Sequence, residues 1–376
     1  MKRFNILVFL CILTASTMYA QVDKATVTKQ ADAAKDAGSA LKSADTGEKA
    51  WKFDGVLGLN AAATGLVNWA AGGKNNVNGL AYAKLHLLYH KNAFAWETNF
   101  DTDFGMTWID QDEDALQKSS DNIKLATKFG WEFKENWYLT ALAGFQSQYA
   151  NGREYVAGHN PIISKWLAPS YTDISLGIDW KKSVSGCDFS VYVSPVAGRI
   201  TTAYVGDAWN RKYSEEYDAA MGVVGYDLRE DLQAKYGTYK YDNLGNMEYH
   251  NMRAELGLSL KGAIAYKYEN LTLGTTIALF SPYQGKGFNV KEAFEAANPL
   301  ETYDGYFEYS NLNRQFGHFD VDWDVAVSYQ FLKVLNVTLS TSLKYYPGTL
   351  IADKNGVEAE RVQFKSVLGI GIGYSF

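Results

Sequence analysis

Acidic and basic side chains in this chain recur at alternate positions, and the spacing decides which of them can act together. Glu97, Asp101 and Asp103 share one parity, as do Lys124 and Lys128, and as do Lys84, His86 and His90. Further along come Arg253, Glu255 and Lys261, then Asp320, Asp322 and Asp324, then Lys344 and Lys365. Residues i, i+2 and i+4 of an extended strand point to one face, so each set would present its charges to a common side. Such charges either line a hydrated passage or neutralise one another across a filled interior, because an isolated ionised group in apolar surroundings costs several kcal/mol.

Catalysis finds less support in the residue types. The histidines His86, His90, His159, His250 and His318 sit beside no Gly-x-Ser-x-Gly elbow and form no His-Glu-x-x-His pair. His86 and His90 would share a strand face about 13 Å apart at ~3.3 Å per residue, too far to hold one metal ion. Asp110, Asp112 and Asp114 copy the first three alternating oxygens of a calcium loop, yet Ala115 stands where the turn needs glycine and Asp121 fills the twelfth position instead of Glu. A solvated acidic loop tip is the preferred reading, with no metal and no cofactor expected.

The elements that must position these charges are strands. From Trp51 to Phe376 the chain alternates apolar and polar residues in about twelve segments: Trp51 to Ala63, Asn76 to Tyr89, Ala93 to Trp108, Ser119 to Phe133, Trp137 to Tyr149, Tyr171 to Lys181, Cys187 to Ala203, Met247 to Tyr268, Leu271 to Tyr283, Phe316 to Phe331, Leu335 to Tyr346 and Glu358 to Phe376. Short connections such as Lys134 to Asn136 and Glu269 to Asn270 alternate with long ones, notably 150–170, 204–246 and 284–315. In the tenth segment Phe319, Val321, Trp323, Val325 and Val327 oppose Asp320, Asp322 and Asp324. Lipid on one side and water on the other accounts for both faces, and the segments approach the ~9–11 residues that cross a bilayer at a tilt. The expectation is an all-β transmembrane antiparallel barrel of about twelve strands, with short periplasmic turns and long outer loops. Within 204–246, Tyr213 to Met221 and Leu228 to Lys235 read as helical.

Composition agrees. Aromatics make up 15% of the chain, against 6 Pro and 2 Cys, which is neither a low-complexity nor a disulfide-stapled profile. The first twenty residues, with Lys2 and Arg3 before the apolar Ile6 to Leu13, read as a cleavable signal peptide. Removing Lys2 and Arg3 from the 36 basic residues leaves 34 against 42 acidic ones, a formal charge of −8 that argues against a nucleic-acid partner. Residues 21–50, rich in Ala, Lys, Asp and Ser, read as a periplasmic linker, partly helical, ahead of a barrel over 51–376. Cys187 is the only mature thiol, so no internal disulfide is expected.

Two signatures point further. The alternating Gly371-Ile372-Gly373-Tyr374-Ser375-Phe376 resembles the closing-strand signal read by the outer-membrane barrel assembly machinery. Asn68-Trp69-Ala70-Ala71-Gly72-Gly73, followed by Asn75-Asn76, resembles the hallmark of an outer-membrane barrel family of Bacteroidota, domain of unknown function 3078. That resemblance implies a barrel in a Gram-negative outer membrane and no established activity; Asn68, Trp69, Gly72 and Gly73 are read as a structural corner. The favoured role is a passive channel or small-solute uptake pore. A closed structural or surface-interaction barrel with partner-binding loops is the alternative, and a barrel hydrolase the third. Outer-membrane lipids and the assembly machinery are the expected partners.

Overall fold

A computed structural model describes residues 50–64, 74–110, 112, 114–154, 160–241, 247–283, 289–303, 316–331, 335–347, 350–352 and 358–375. Twelve strands form a closed antiparallel barrel: β1 (Trp51–Thr64), β2 (Asn76–Lys91), β3 (Phe94–Ile109), β4 (Leu116–Lys134), β5 (Trp137–Ser147), β6 (Ser170–Val184), β7 (Cys187–Thr202), β8 (Met252–Tyr268), β9 (Leu271–Pro282), β10 (Asp320–Gln330), β11 (Leu335–Tyr345) and β12 (Gln363–Ser375). Each pairs with the next, and β1 closes on β12 from Val56↔Ser375 to Leu59↔Ile372. Among the described residues no helix is long and apolar enough to cross a membrane, and strands do the crossing: closure lets backbone groups pair within the sheet, as a hydrocarbon surround requires.

The outward face explains why these residues make strands of this length. Leu57, Leu59, Phe104, Leu125, Phe129, Leu139, Ile174, Leu176, Ile178, Val191, Val193 and Ile264 alternate along their strands and are all exposed, a surface that suits lipid and would be costly in water. Polar groups on this face are satisfied locally: the Trp96 indole donates to Thr127 (2.8 Å) and that of Trp323 to Thr275 (3.0 Å). Near the short turns, Trp51 lies 4.6 Å from Tyr89 and 5.8 Å from Trp96, and Tyr329 lies 4.8 Å from Phe331, centroid to centroid. Amphipathic rings favour that interfacial depth. The tight turn between β6 and β7 is made by Ser185 and Gly186, both at positive φ (49° and 78°), the backbone a two-residue hairpin needs to match strand twist.

Three expected segments begin later than alternation suggests. Tyr239–Tyr241 pairs with Met247–Tyr249, and β8 begins only at Met252; Leu350–Ala352 pairs with Glu358–Glu360 ahead of β12; β10 starts at Asp320. In the first two cases the alternation is real but belongs to small hairpins above the barrel, because period 2 marks a strand without saying which sheet it joins.

The long loops carry their own packing. Helix α1 (Asp207–Met221) and helix α2 (Leu228–Lys235) lie in the β7–β8 loop, and α3 (Val290–Ala297) in the β9–β10 loop. Asp227 caps α2 by accepting from the Glu230 N–H, and Asn289 caps α3 through Glu292 N–H. Ile162 and Ala168 from the β5–β6 loop join Val205, Leu228 and Leu232 in a buried cluster, against which Trp209, Tyr213, Tyr226 and Tyr236 pack. A second apolar core therefore sits over one side of the outer mouth.

Candidate functional site

The site is the lumen, and the pleat builds it. Inward positions are the even ones on β2, β5, β9, β10 and β11 and the odd ones on β3, β6 and β8; burial alternates accordingly along much of β2, β3, β6 and β8. On β4 the inward set near the lumen's middle is Lys124, Ala126 and Lys128. On β7 the parity switches. Ser190, Tyr192 and Ser194 face inward, an extra residue at Ser194–Pro195 makes a bulge against both β6 and β8, and from there Ala197, Arg199 and Thr201 face inward. Gly177 opposite the bulge permits it: a Cβ there would lie 2.2 Å from the Val193 carbonyl oxygen.

Two ionic networks occupy the interior. One lies toward the short turns on the β2–β3–β4–β6 wall. His86 Nε2 sits 3.3 Å from Glu97 Oε1, and Lys84 Nζ 3.6 Å from Asp101. Register places Glu97 opposite Lys128 and Asp101 opposite Lys124, yet neither lysine takes that partner. Lys128 instead reaches over β5 to Asp179, which also accepts from Ser190 (2.9 Å) and faces Lys181 at 3.7 Å. Lys124 makes no ion pair among the described residues and is exposed. Asp103 is buried and accepts from Ser120.

The other network lies toward the outer mouth. Arg199 donates from Nε to Asp173 (3.0 Å) and from Nη1 to Asp320 (2.7 Å), with its guanidinium 4.5 Å from the Phe280 ring centroid. From β7 to β10 that side chain spans β8 and β9. Asp322 accepts from Tyr346 (2.5 Å) and pairs with Lys344 (3.1 Å); burial first, and then that carboxylate, push the Tyr346 phenol up from its ordinary value. Arg253 pairs with Glu255 at 3.3 Å and donates to the Gly237 carbonyl, which ties the lumen wall to the cap. Among the described residues Lys261 and Asp324 make no ion pair.

Other sequence candidates separate. His90 faces inward at the turn end of β2. Asp110, Asp112 and Asp114 go to different partners, Asn75, Lys74 and Asn160 respectively, and no cluster of metal-ligating side chains occurs among the described residues. Asn68, Trp69, Gly72, Gly73 and His159 lie outside the described residues, as does the side chain of Lys365. The groups that alternation alone did not single out are Asp173, Asp179, Lys181 and Arg199. The first three share the odd face of β6 and were readable by the same rule; Arg199 was hidden by the bulge, whose one sequence sign is Pro195 inside a strand.

Water reaches part of this interior. Lys124, Gln146 and Tyr171 are neighbours in register across β4, β5 and β6, all face inward, and all three are exposed. Twelve strands ~4.8 Å apart at a tilt of ~40° enclose a backbone cylinder of about 12 Å radius, room for both side-chain networks and a narrow hydrated path.

Solved structures resemble the chain only distantly. The translocator domain of the autotransporter NalP from Neisseria meningitidis shares 10% identity over 92% of this chain and 94% of its own, with a TM-score of 0.34. An outer membrane channel from Pseudomonas putida shares 10% over 86% and 93% (TM-score 0.35), and outer membrane phospholipase A from Escherichia coli 11% over 90% and 98% (TM-score 0.32). No curated protein matches. A family model described as protein of unknown function (DUF3078) matches residues 62–152, from the outer end of β1 to the β5–β6 loop.

Proposed function

We propose that this chain is an outer-membrane channel that passes small hydrophilic solutes by diffusion through a charge-lined lumen, beneath a folded outer cap. The observation that carries the reading is the contiguous wet row Lys124, Gln146 and Tyr171 on the inner wall. A barrel whose interior were wholly knitted shut would bury all three, and an exposed, unpaired lysine on an inner wall needs water beside it. Export by a signal peptide over 1–20, a periplasmic linker over 21–50 and insertion by the barrel assembly machinery complete the proposal, with a Bacteroidota source as the family resemblance implies.

The cap favours a second reading, a sealed barrel whose loops engage a partner. Met221, Val223 and Val224 at the α1–α2 junction are exposed, and an apolar tip on a folded loop is a common feature of contact surfaces. Single-channel recording in planar bilayers separates the two. The refolded chain should conduct steadily, and a variant lacking 204–246 should conduct more. Silence from both forms, in protein shown to be folded by heat-resistant electrophoretic mobility, overturns the channel.

A further inference from the structure

The formal charges of the described lumen side chains nearly balance, but their depths do not, and we infer from that difference that the passage selects small anions over cations. The inference rests on the channel reading and names its cargo class.

In most lumenal ion pairs the carboxylate lies against the wall and the cation stands in front of it. Lys128 is 19% exposed and its partner Asp179 0%; Arg253 is 21% and Glu255 1%; Arg199 is 21% and Asp320 5%; Lys344 is 46% and Asp322 28%. Lys181 stands over Asp179 in the same way. The order is reversed in two pairs, Lys84 with Asp101 and Arg199 with Asp173. Chain length gives the physical cause: a Lys or Arg head extends farther from its strand than an Asp carboxylate on the neighbouring wall. A hydrated ion in the passage therefore meets ammonium and guanidinium groups first.

Groups that make no ion pair among the described residues tilt the field the same way. Lys124 is exposed on the inner wall, and Lys261 faces inward beside the outer network, where Asp322, Asp173 and Asp320 are already taken by Lys344 and Arg199. Asp324 is the accessible acid on the other side of the ledger, whereas Asp103 is buried against Ser120. This lining opposes the chain's own net charge of −6, so overall composition does not predict it.

The test is the zero-current potential of the full-length chain in planar bilayers under a potassium chloride gradient. Chloride should permeate several-fold better than potassium. Lys124→Gln should cut the ratio about threefold, the Boltzmann weight of one unit charge ~6 Å from a hydrated ion. Lys261→Met should move it the same way, and Asp324→Asn the opposite way. Acetate and phosphate then replace chloride in turn to show which anion is preferred. Steady conductance that is unselective or favours potassium overturns the inference and leaves the channel standing, as would an unchanged ratio in Lys124→Gln. Silence overturns both. Electrophoretic mobility of each variant shows that its barrel has folded.

Discussion

The barrel wall and the outer cap solve the burial problem in opposite ways. Along the wall, leucines, valines and rings are turned outward and exposed, while Asp179, Glu255, Asp320 and other charged groups are buried inside. In the cap the order is that of a water-soluble domain, with Leu228, Leu232 and Val205 inside and Asp207, Glu215 and Glu230 outside. One chain thus holds two folding regimes. Wall stability comes from the ladder and from lipid contact, since an apolar residue gains little from burial when its surroundings are already apolar; cap stability comes from apolar burial at ~25 cal/mol per Å². Loss of either layer should therefore leave the other largely intact.

The largest effect expected is on the cap. Leu232 is fully buried in the cap cluster, so Leu232→Ala should destabilise the cap by about 2–5 kcal/mol. Protease cleavage within 207–241 should accelerate sharply while far-ultraviolet circular dichroism keeps its strand signal. Loss of that strand signal would show that the two regions fold as one unit. A smaller effect, confined to the wall, is expected at the bulge. Gly177→Ala sets a Cβ against the Val193 carbonyl and should cost about 1–3 kcal/mol, read as a lower refolding yield in detergent. In the fraction that refolds, cap proteolysis should match wild type.

The same contrast accounts for what was legible in the sequence. Wall strands announce themselves because lipid and lumen impose period 2 over a dozen residues, and α2 and the Tyr213 to Met221 part of α1 read as helical, whereas the start of α1 and all of α3 did not. Which elements touch was not visible. Nothing local says that Ile162 in one loop meets Leu232 in another, or that Tyr236 donates to the Ile163 carbonyl, because such contacts are set by tertiary packing. Inside the lumen, alternation assigned faces to Glu97, Asp101, Lys124 and Lys128, yet it does not say which charges pair. Register gives nearest backbone neighbours, whereas Lys and Arg reach across one or two strands to the carboxylate whose geometry suits them, as Lys128 and Arg199 do. At Arg199 a single inserted residue inverted the rule itself.

The smallest effect expected sharpens the comparison on the cap side. Lys165 is buried beneath the cap, with Nζ 4.9 Å from the Trp209 ring centroid and 3.1 Å from the Tyr204 carbonyl oxygen, and none of its contacts is a carboxylate. Burial holds its ammonium below the ordinary lysine value of 10.5. With the folded value depressed, the unfolded chain binds the proton more tightly, so stability rises as pH climbs from the folded value toward 10.5 and is flat well below it. Cap proteolysis should therefore slow between neutral pH and about pH 10. In Lys165→Met that slope should vanish, whatever the variant's stability at neutral pH. A slope that survives the substitution would place the titrating group elsewhere in the cap. Because the cap's lysine is held by carbonyls and rings alone, this pH response should be read in cleavage within 207–241.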